Sequence, residues 1–543
     1  MDCSDKSLSE LFTSKLIIPD YQRPYAWSSQ QVEQFFSDLV QFINRDDPEY
    51  DDFYLFGQII IHSDNGRRNV VDGQQRLTTS TIFLCVVRDI ILNRYPNNLM
   101  SLLNKVYNSI GFDDEDDGFR LELSNFNQEF FREYVQCSNH YKEAKSRSNI
   151  LIKDAYQCLN HLVLNYIDNF EDPQQALKHL TDNFLQNFHV SYVETKKLSQ
   201  AFVIFETLNS RGMPLDVQDL LKNYFFSRLG DKWPYIKNNW IKMMTDISEV
   251  KGDLSQCIRY YWNSKNPFVR DDDLFPAISK EKNISKIKST FDGIVETSAL
   301  YIEMISPRIG GSFTDRSVEA LANLRTMSAT SFFPLIFALK SENNDDDIIE
   351  AVLVQIETMV FRNQAIMKKT ANKNEVFFSR TAEAVSRGEL SATEVMQNIA
   401  SNTSNDIEVE AAFKGYKTKS TMVGRMILTS LYNHEHPELK INSGRAVHIE
   451  HIMPQTKGTW NIDDDTWIEY KDRIGNMVLL DGKKNISASN DLFDQKKERY
   501  LKSDIIDTRE IAKYDKWGPE EINERQSELL KKVLLRWPKY NQN

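Results

Sequence analysis

The segment from Val447 to Tyr500 admits few architectures. It begins VHIEHIMPQ and, after a gap, continues RIGNMVLLDGKKNISASNDLFDQKKERY. Val447 to Ile452 reads as a strand running into a proline turn, and Ile474 to Leu480 as a second strand. Asp481-Gly482 supplies a turn, and Asn490 to Lys502 reads as a helix capped by Asn490 or Asp491. His448, Glu450 and His451 lie on the first strand, and Asn476 and Asn485 follow further on. Period-two alternation places His448 and Glu450 on one strand face.

These residue types suit phosphodiester hydrolysis, which needs an activated water and a cation near the leaving oxygen. A hard divalent ion takes oxygen ligands, and one or two from the protein suffice when water and phosphate fill the rest. Glu450 and the Asn485 amide oxygen are the expected metal ligands, for Mg²⁺ or Mn²⁺. His451 is the expected general base, because an imidazole titrates near neutral pH. His448 either orients the site or serves as a ligand, and orientation is the preferred reading. The strand, strand, helix order with these residues resembles the HNH nuclease signature, in the form carried by the GmrSD family of modification-dependent restriction enzymes. The resemblance implies a ββα-metal finger. In it the acid before the histidine binds metal, the histidine activates water and the closing asparagine takes the second ligand position. Asn476 is then the structural asparagine that ties down the long loop. One departure stands out: no cysteine follows Cys257, so a zinc knuckle is not expected.

The chain has 543 residues, enough for two to four domains, with 41% hydrophobic and 27% charged residues. Its net charge of -12 argues against a general nucleic-acid coat. DNA contacts must therefore come from local basic patches, such as Lys496, Lys497 and Arg499 on the helix of the finger, although any solvated helix face carries such residues. Cysteines at positions 3, 85, 137, 158 and 257 show no paired spacing, which fits a reducing, cytoplasmic setting. No apolar run approaches the roughly 20 residues of a membrane span, so no membrane partner is expected. Acidic clusters at Asp113–Asp117, Asp271–Asp273, Asp345–Asp347 and Asp463–Asp465 read as exposed loops.

Nearer the start, Ile17 to Leu39 reads IIPDYQRPYAWSSQQVEQFFSDL. Ile17 to Tyr21 is a short strand or extended segment. Ser28 or Ser29 caps a helix with Val32, Phe35, Phe36 and Leu39 on one face. Tyr21, Trp27 and Phe35 are core candidates, whereas Gln22 and Arg23 sit between apolar neighbours at a strand end. Phe53–His62 and Arg67–Val71 are strands joined by a hairpin turn at Asp64-Asn65-Gly66. The second strand leads into DGQQR, and a long apolar helix follows from about Gln75 to Leu92. A glycine between a strand and a helix with free N–H groups is either an anion site or an ordinary helix start. Arg76 adds a guanidinium suited to phosphate, and Asp72 suits a cation or a water.

The stretch resembles the DGQQR motif of the GmrSD N-terminal domain. Gly73 and Arg76 match the Gly-x-x-Arg of ParB and sulfiredoxin nucleotide pockets. The resemblance implies that Asp72, Gly73, Gln74, Gln75 and Arg76, with Gln22 and Arg23, bind a nucleoside triphosphate: GTP, UTP or ATP. A third motif, AFVIFETLNSRGMPLDVQDLLKNYFF (Ala201 to Phe226), matches a family pattern beside that pocket. Asn209, Arg211 and Gly212 are therefore second-line nucleotide candidates, or simply end the helix Ala201–Leu208. Asp216 is read as the next cap, with Asp219 in a capping box.

The expected fold is α+β and mostly helical: a ParB/sulfiredoxin-like α/β domain over 1–230, a helical bundle over 231–420, and a ββα-metal HNH finger over 421–543. The expected function is an anti-phage restriction endonuclease, with nucleotide turnover coupled to a nuclease acting on modified phage DNA, and with homodimerisation as an open expectation. Two alternatives stand beside it. One is a nucleotide-regulated DNA-binding protein with an inactive finger; the other is an RNA-cleaving toxin.

Overall fold

The computed structural model describes residues 2–45, 53–64, 66–111, 118–125, 127–209, 217–229, 233, 235–342, 344–441, 447–458, 460–481 and 491–540. The fold is α+β and mostly helical. It divides into two compact units, Met1–Thr245 with Phe275–Asp292, and Asp246–Leu274 with Gly293–Asn543.

The first unit is built on a mixed sheet of six strands: β1 (Asp2–Ser7), β2 (Leu16–Ile17), β3 (Tyr54–Asp64), β4 (Arg67–Asp72), β5 (Leu121–Glu122) and β6 (Phe188–Thr195). Their order is β1-β6-β3-β4-β2-β5. The hairpin β3–β4 is antiparallel, as the turn signal predicts, and β3 runs parallel to β6. Ile59, Ile60 and Ile61 of β3 are all buried, because a central strand is covered on both faces. The expected strand Ile17–Tyr21 is shorter than its sequence suggests. β2 ends at Ile17, and a turn closed by Gln22 N–H donating to Pro19 O (2.9 Å) follows. Proline has no N–H for the ladder, so the strand stops there.

Helix Ser29–Ile43 has Ser28 as its N-cap and buries Val32, Phe35, Phe36 and Leu39, the face expected from their spacing. Helix Gln74–Arg94 is buried on all sides over most of its length, and packs against helices Met100–Ile110 and Arg147–Asp168. Its one buried ion pair is fully bonded. Arg88 pairs with Asp89 and donates to Val135 O (3.0 Å) and Gln136 O (2.5 Å), while Tyr156 donates to Asp89 (2.6 Å). Such satisfaction is what a buried charge requires.

Among the described residues, the strands of the second unit are an antiparallel pair, β7 (Val447–His451) and β8 (Met477–Asp481), and its other regular elements are helices. Its helices are held by a buried charge cluster. Glu357 Oε1 accepts from Asn323 Nδ2 (2.8 Å), Trp537 Nε1 (2.9 Å) and Arg536 Nη2 (3.0 Å); Glu357 Oε2 accepts from Arg316 (2.7 Å). This fastens the end of helix Pro519–Arg536 to helices Asp315–Thr326 and Asp346–Val360. Three of the acidic clusters are helix starts rather than loops. Asp271–Asp273 form the first turn of Asp271–Ser279, while Asp345 and Asp463 are N-caps followed by acidic first turns. Carboxylates there complement the free N–H groups and the helix dipole. Asp113–Asp117 lie outside the described residues. Among the described residues no helix is long and apolar enough to cross a membrane. All five cysteines are free.

Candidate functional sites

In the first unit the hairpin delivers Asp72 to the end of β4 and Gly73 to the start of helix Gln74–Arg94. Gly73 has φ +92°, and a Cβ there would lie 2.1 Å from Ile59 Cδ1 and 3.0 Å from Gln58 O. Only glycine fits both the left-handed backbone and the close approach to β3. The first N–H groups of the helix have no partner within it. Arg76 turns its guanidinium onto Gly57, where a Cβ would sit 2.9 Å from Cζ. Asp72 accepts from Gln58 Nε2 (2.8 Å). Burial pushes the Asp72 carboxyl up; the Gln58 bond, Arg76 and the Gly73 N–H work against this, and Asp219 adds to it.

Gln22 is buried, and its amide is fully committed. Nε2 donates to Val71 O (2.8 Å) and Val70 O (3.2 Å), and Oε1 accepts from Lys222 Nζ (2.9 Å). Lys222, itself buried, also donates to Asp219 Oδ1 (3.1 Å), and Arg23 lies 3.4 Å from Asp219 Oδ2. Gln75 Oε1 accepts from Ala26 N–H (2.9 Å), so this glutamine clamps the first motif onto the helix. Gln74 is half-buried, and its carbonyl accepts from Thr78 Oγ1 (2.8 Å). Asp72, Arg76, Arg23 and Gln22 therefore gather around one turn, with Gln75 as its clamp. Asn209 is the last residue of helix Leu198–Asn209; Arg211 and Gly212 lie outside the described residues.

Sequence reasoning missed Lys222, Asp219 and Gln58 as members of this group. The signal for Lys222 was a cation inside the apolar run LLKNYFF. Asp219 bonds Lys222 and lies 3.4 Å from Arg23, while Asp216, its expected capping partner, lies outside the described residues.

In the second unit β7 and β8 pair Glu450 with Val478 and His451 with Met477. The second strand begins at Met477 rather than Ile474, because Ile474–Asn476 forms a 3₁₀ turn. That turn buries Asn476 completely and uses every valence of its amide. Oδ1 accepts from Met453 N–H (2.8 Å) and Trp517 Nε1 (3.0 Å); Nδ2 donates to Met453 O (2.8 Å) and Lys471 O (2.9 Å). Asn476 thus ties the exit of β7 to the far end of the loop and takes no part as an exposed group. Helix Phe493–Tyr500 starts later than Asn490. Asp491 pairs with Arg499 (2.5 Å) instead of capping it.

Lys496 does not stand on a solvated face. It is fully buried, and Nζ donates to Glu450 Oε1 (2.6 Å) and His451 O (2.8 Å). Its helix packs that side against β7, so the ammonium is withdrawn from any DNA. Tyr500 OH donates to the same Glu450 oxygen (3.1 Å). Burial pushes the Glu450 carboxyl up and the Lys496 ammonium down, and their contact opposes both. Lys497 is half-exposed above the Phe493 ring (5.7 Å), and Arg499 is held by Asp491.

His451 is half-buried, and burial pushes its imidazole down to about 4, with Lys496 and Lys471 adding to the effect and Asp472 opposing it. It is neutral at neutral pH, the state in which an imidazole accepts a proton. His448 is exposed on the strand face that also carries Glu450. Asn485 lies outside the described residues. Lys496 and Tyr500 both donate to Oε1 of Glu450, and His448 stands on the same strand face.

A family model described as GmrSD restriction endonuclease, N-terminal domain, matches residues 8–226. A second, GmrSD restriction endonucleases, C-terminal domain, matches residues 402–532. Together they take in more than half of the chain. No curated protein matches it.

Proposed function

Because this chain belongs to the GmrSD restriction endonuclease family, we propose that it is an anti-phage nuclease whose N-terminal unit binds and hydrolyses a nucleoside triphosphate and whose β7–β8 strand pair cuts DNA. The observation that carries the nuclease reading is the neutral, half-exposed His451 imidazole, next along strand β7 to the buried Glu450, on a strand whose exit Asn476 pins. In this reading the strand pair and helix Phe493–Tyr500 act as a ββα-metal finger of the HNH kind. His451 takes the proton from the attacking water. Glu450, with Asn485, would hold Mg²⁺ or Mn²⁺, and the ion would supply charge stabilisation at the leaving oxygen. Lys496 and Tyr500 hold the Glu450 carboxylate in place.

The turn at Asp72-Gly73 supports the nucleotide reading. Gly73 lets the left-handed turn approach β3 closely, Gly57 lets the Arg76 guanidinium lie against the strand, and the helix N-terminus, Arg76 and Arg23 supply positive potential for phosphate. A ParB/sulfiredoxin-like pocket for GTP, UTP or ATP fits these residues. The substrate is phage DNA bearing a base or backbone modification, and nucleotide state gates the cut.

A second reading follows from Lys496. An ammonium already neutralises Glu450, as suits a finger that binds DNA without cutting it.

The test is phosphate release and DNA nicking, measured on wild type, His451→Ala and Arg76→Ala. Modified and plain phage DNA are supplied with Mg²⁺ or Mn²⁺ and each nucleotide. His451→Ala should lose about 10²- to 10⁴-fold in cleavage and keep turnover. Arg76→Ala should lose roughly ten- to a hundred-fold in nucleotide affinity, and regulated cleavage with it. Cleavage at the wild-type rate in His451→Ala removes the nuclease assignment. Wild-type cutting by Arg76→Ala, with and without nucleotide, removes the gating. No cleavage by wild type under any condition favours the second reading.

A further inference from the structure

With Lys496 buried, the basic group that meets the DNA backbone near His451 must come from elsewhere. Three nearby cations are already committed. Lys417 and Arg473 both pair with Glu469 (2.5 Å each), and Lys457 pairs with Asp464 (2.5 Å). Lys471 differs. Among the described residues it has no carboxylate within ion-pair distance, and it is half-exposed.

Its position is built rather than incidental. Lys471 follows helix Asp464–Tyr470, and its N–H donates to Trp467 O (3.0 Å). Its carbonyl accepts from the buried Asn476 amide (2.9 Å), the group that also holds Met453 at the exit of β7. Its Nζ lies 4.4 Å from the centre of the Trp467 ring, and Trp467 Nε1 donates to Pro454 O (2.9 Å). Asn476 and Trp467 thus fix the Lys471 backbone and ammonium against the two residues Met453 and Pro454 that follow Ile452 and the His451 strand. Asp472, the neighbouring carboxylate, is buried.

We propose that the Lys471 ammonium, seated on Trp467 and tethered through Asn476, contacts a backbone phosphate of the DNA strand presented to His451. The inference rests on the reading of β7–β8 as the nuclease centre. A lysine on phosphate contributes affinity without sequence preference and releases counterions, so its removal changes the salt dependence of binding.

The test is DNA binding by the full chain in EDTA, so that no cleavage occurs. Fluorescence anisotropy on a labelled plain duplex is followed across a NaCl titration. Lys471→Met keeps the aliphatic stem on Trp467 and removes only the charge. It should bind roughly tenfold more weakly at low salt, and its slope of log K on log[salt] should be shallower by about 0.9. Lys471→Arg should restore the slope. If Lys471→Met does not fold, Lys471→Gln takes its place. Weaker binding with an unchanged slope would mean a packing role, and unchanged binding would mean no role; either overturns the proposal. His451→Ala run alongside separates the two claims. If it still cleaves with metal, the nuclease centre is misplaced. If it is dead while Lys471→Met keeps the wild-type slope, only Lys471 is misassigned.

Discussion

Replacing Lys496 with methionine should destabilise the second unit far more than a lost surface cation would. The side chain is fully buried, and its ammonium donates both to Glu450 and to the backbone of His451. Its removal strands a carboxylate that is 4% exposed, with only the Tyr500 hydroxyl still donating to it. Breaking a buried pair by deleting one partner costs about 3–5 kcal/mol. With a urea m-value of about 3 kcal/mol/M, the midpoint of the second unit should fall by about 1–2 M. The double substitution Glu450→Gln with Lys496→Met removes both charges and keeps their volume. Uncharged replacements of a buried pair are often neutral, so the double variant should recover most of the loss. Both variants should fail to cleave DNA, because Glu450 is either displaced or absent as an anion. The assay is urea unfolding followed by tryptophan fluorescence, since Trp460, Trp517 and Trp537 are all buried in this unit. A wild-type midpoint for Lys496→Met would refute the reasoning. So would a double variant no more stable than the single one, because the cost would then not come from a stranded charge.

Two further outcomes follow from the geometry. A methyl on Gly66 (φ +80°) would meet nothing within 4 Å, whereas a methyl on Gly73 (φ +92°) would meet Ile59 Cδ1 at 2.1 Å. Gly66→Ala should therefore lose only about 1–2 kcal/mol for its left-handed backbone, while Gly73→Ala loses more and abolishes nucleotide binding; wild-type GTP, UTP and ATP affinity by calorimetry in Gly73→Ala would count against the phosphate turn. In the second unit, burial raises the Glu357 carboxyl, but Arg536, Arg316, Asn323 and Trp537 outweigh it and hold it below its ordinary value of 4.5. A depressed carboxyl stabilises the fold above its unfolded value and loses that contribution as pH falls through the folded value. The stability gap between wild type and Glu357→Gln should stay constant above about pH 4.5 and close below it; a gap independent of pH in denaturation curves would mean that Glu357 is not anionic in the native state.

Local chemistry was legible in the sequence wherever a periodicity or a turn signal acts within a few residues. Ser28 and the spacing of Val32, Phe35, Phe36 and Leu39 identified a helix and its buried face. Asp64-Asn65-Gly66 between two β-branched runs identified the β3–β4 hairpin, and with it the placement of Asp72 and Gly73. Asn476 was read as a loop tie, and its four hydrogen bonds are of that kind. Tertiary structure alone decided which charges are withdrawn. Lys496 sits among Gln, Lys, Glu and Arg, so its local pattern is that of a solvated face; only the packing of its helix on β7, 46 residues away, turns it inward. Lys222 meets Gln22 across 200 residues, and no periodicity encodes a partner at that distance. β1, β2 and β5 likewise owe their strand state to the neighbours they pair with, since segments of two to six residues carry too little pattern of their own. Propensity acts along the chain, whereas burial and ion pairing act through space, and the latter determine which of the candidate residues remain available for chemistry.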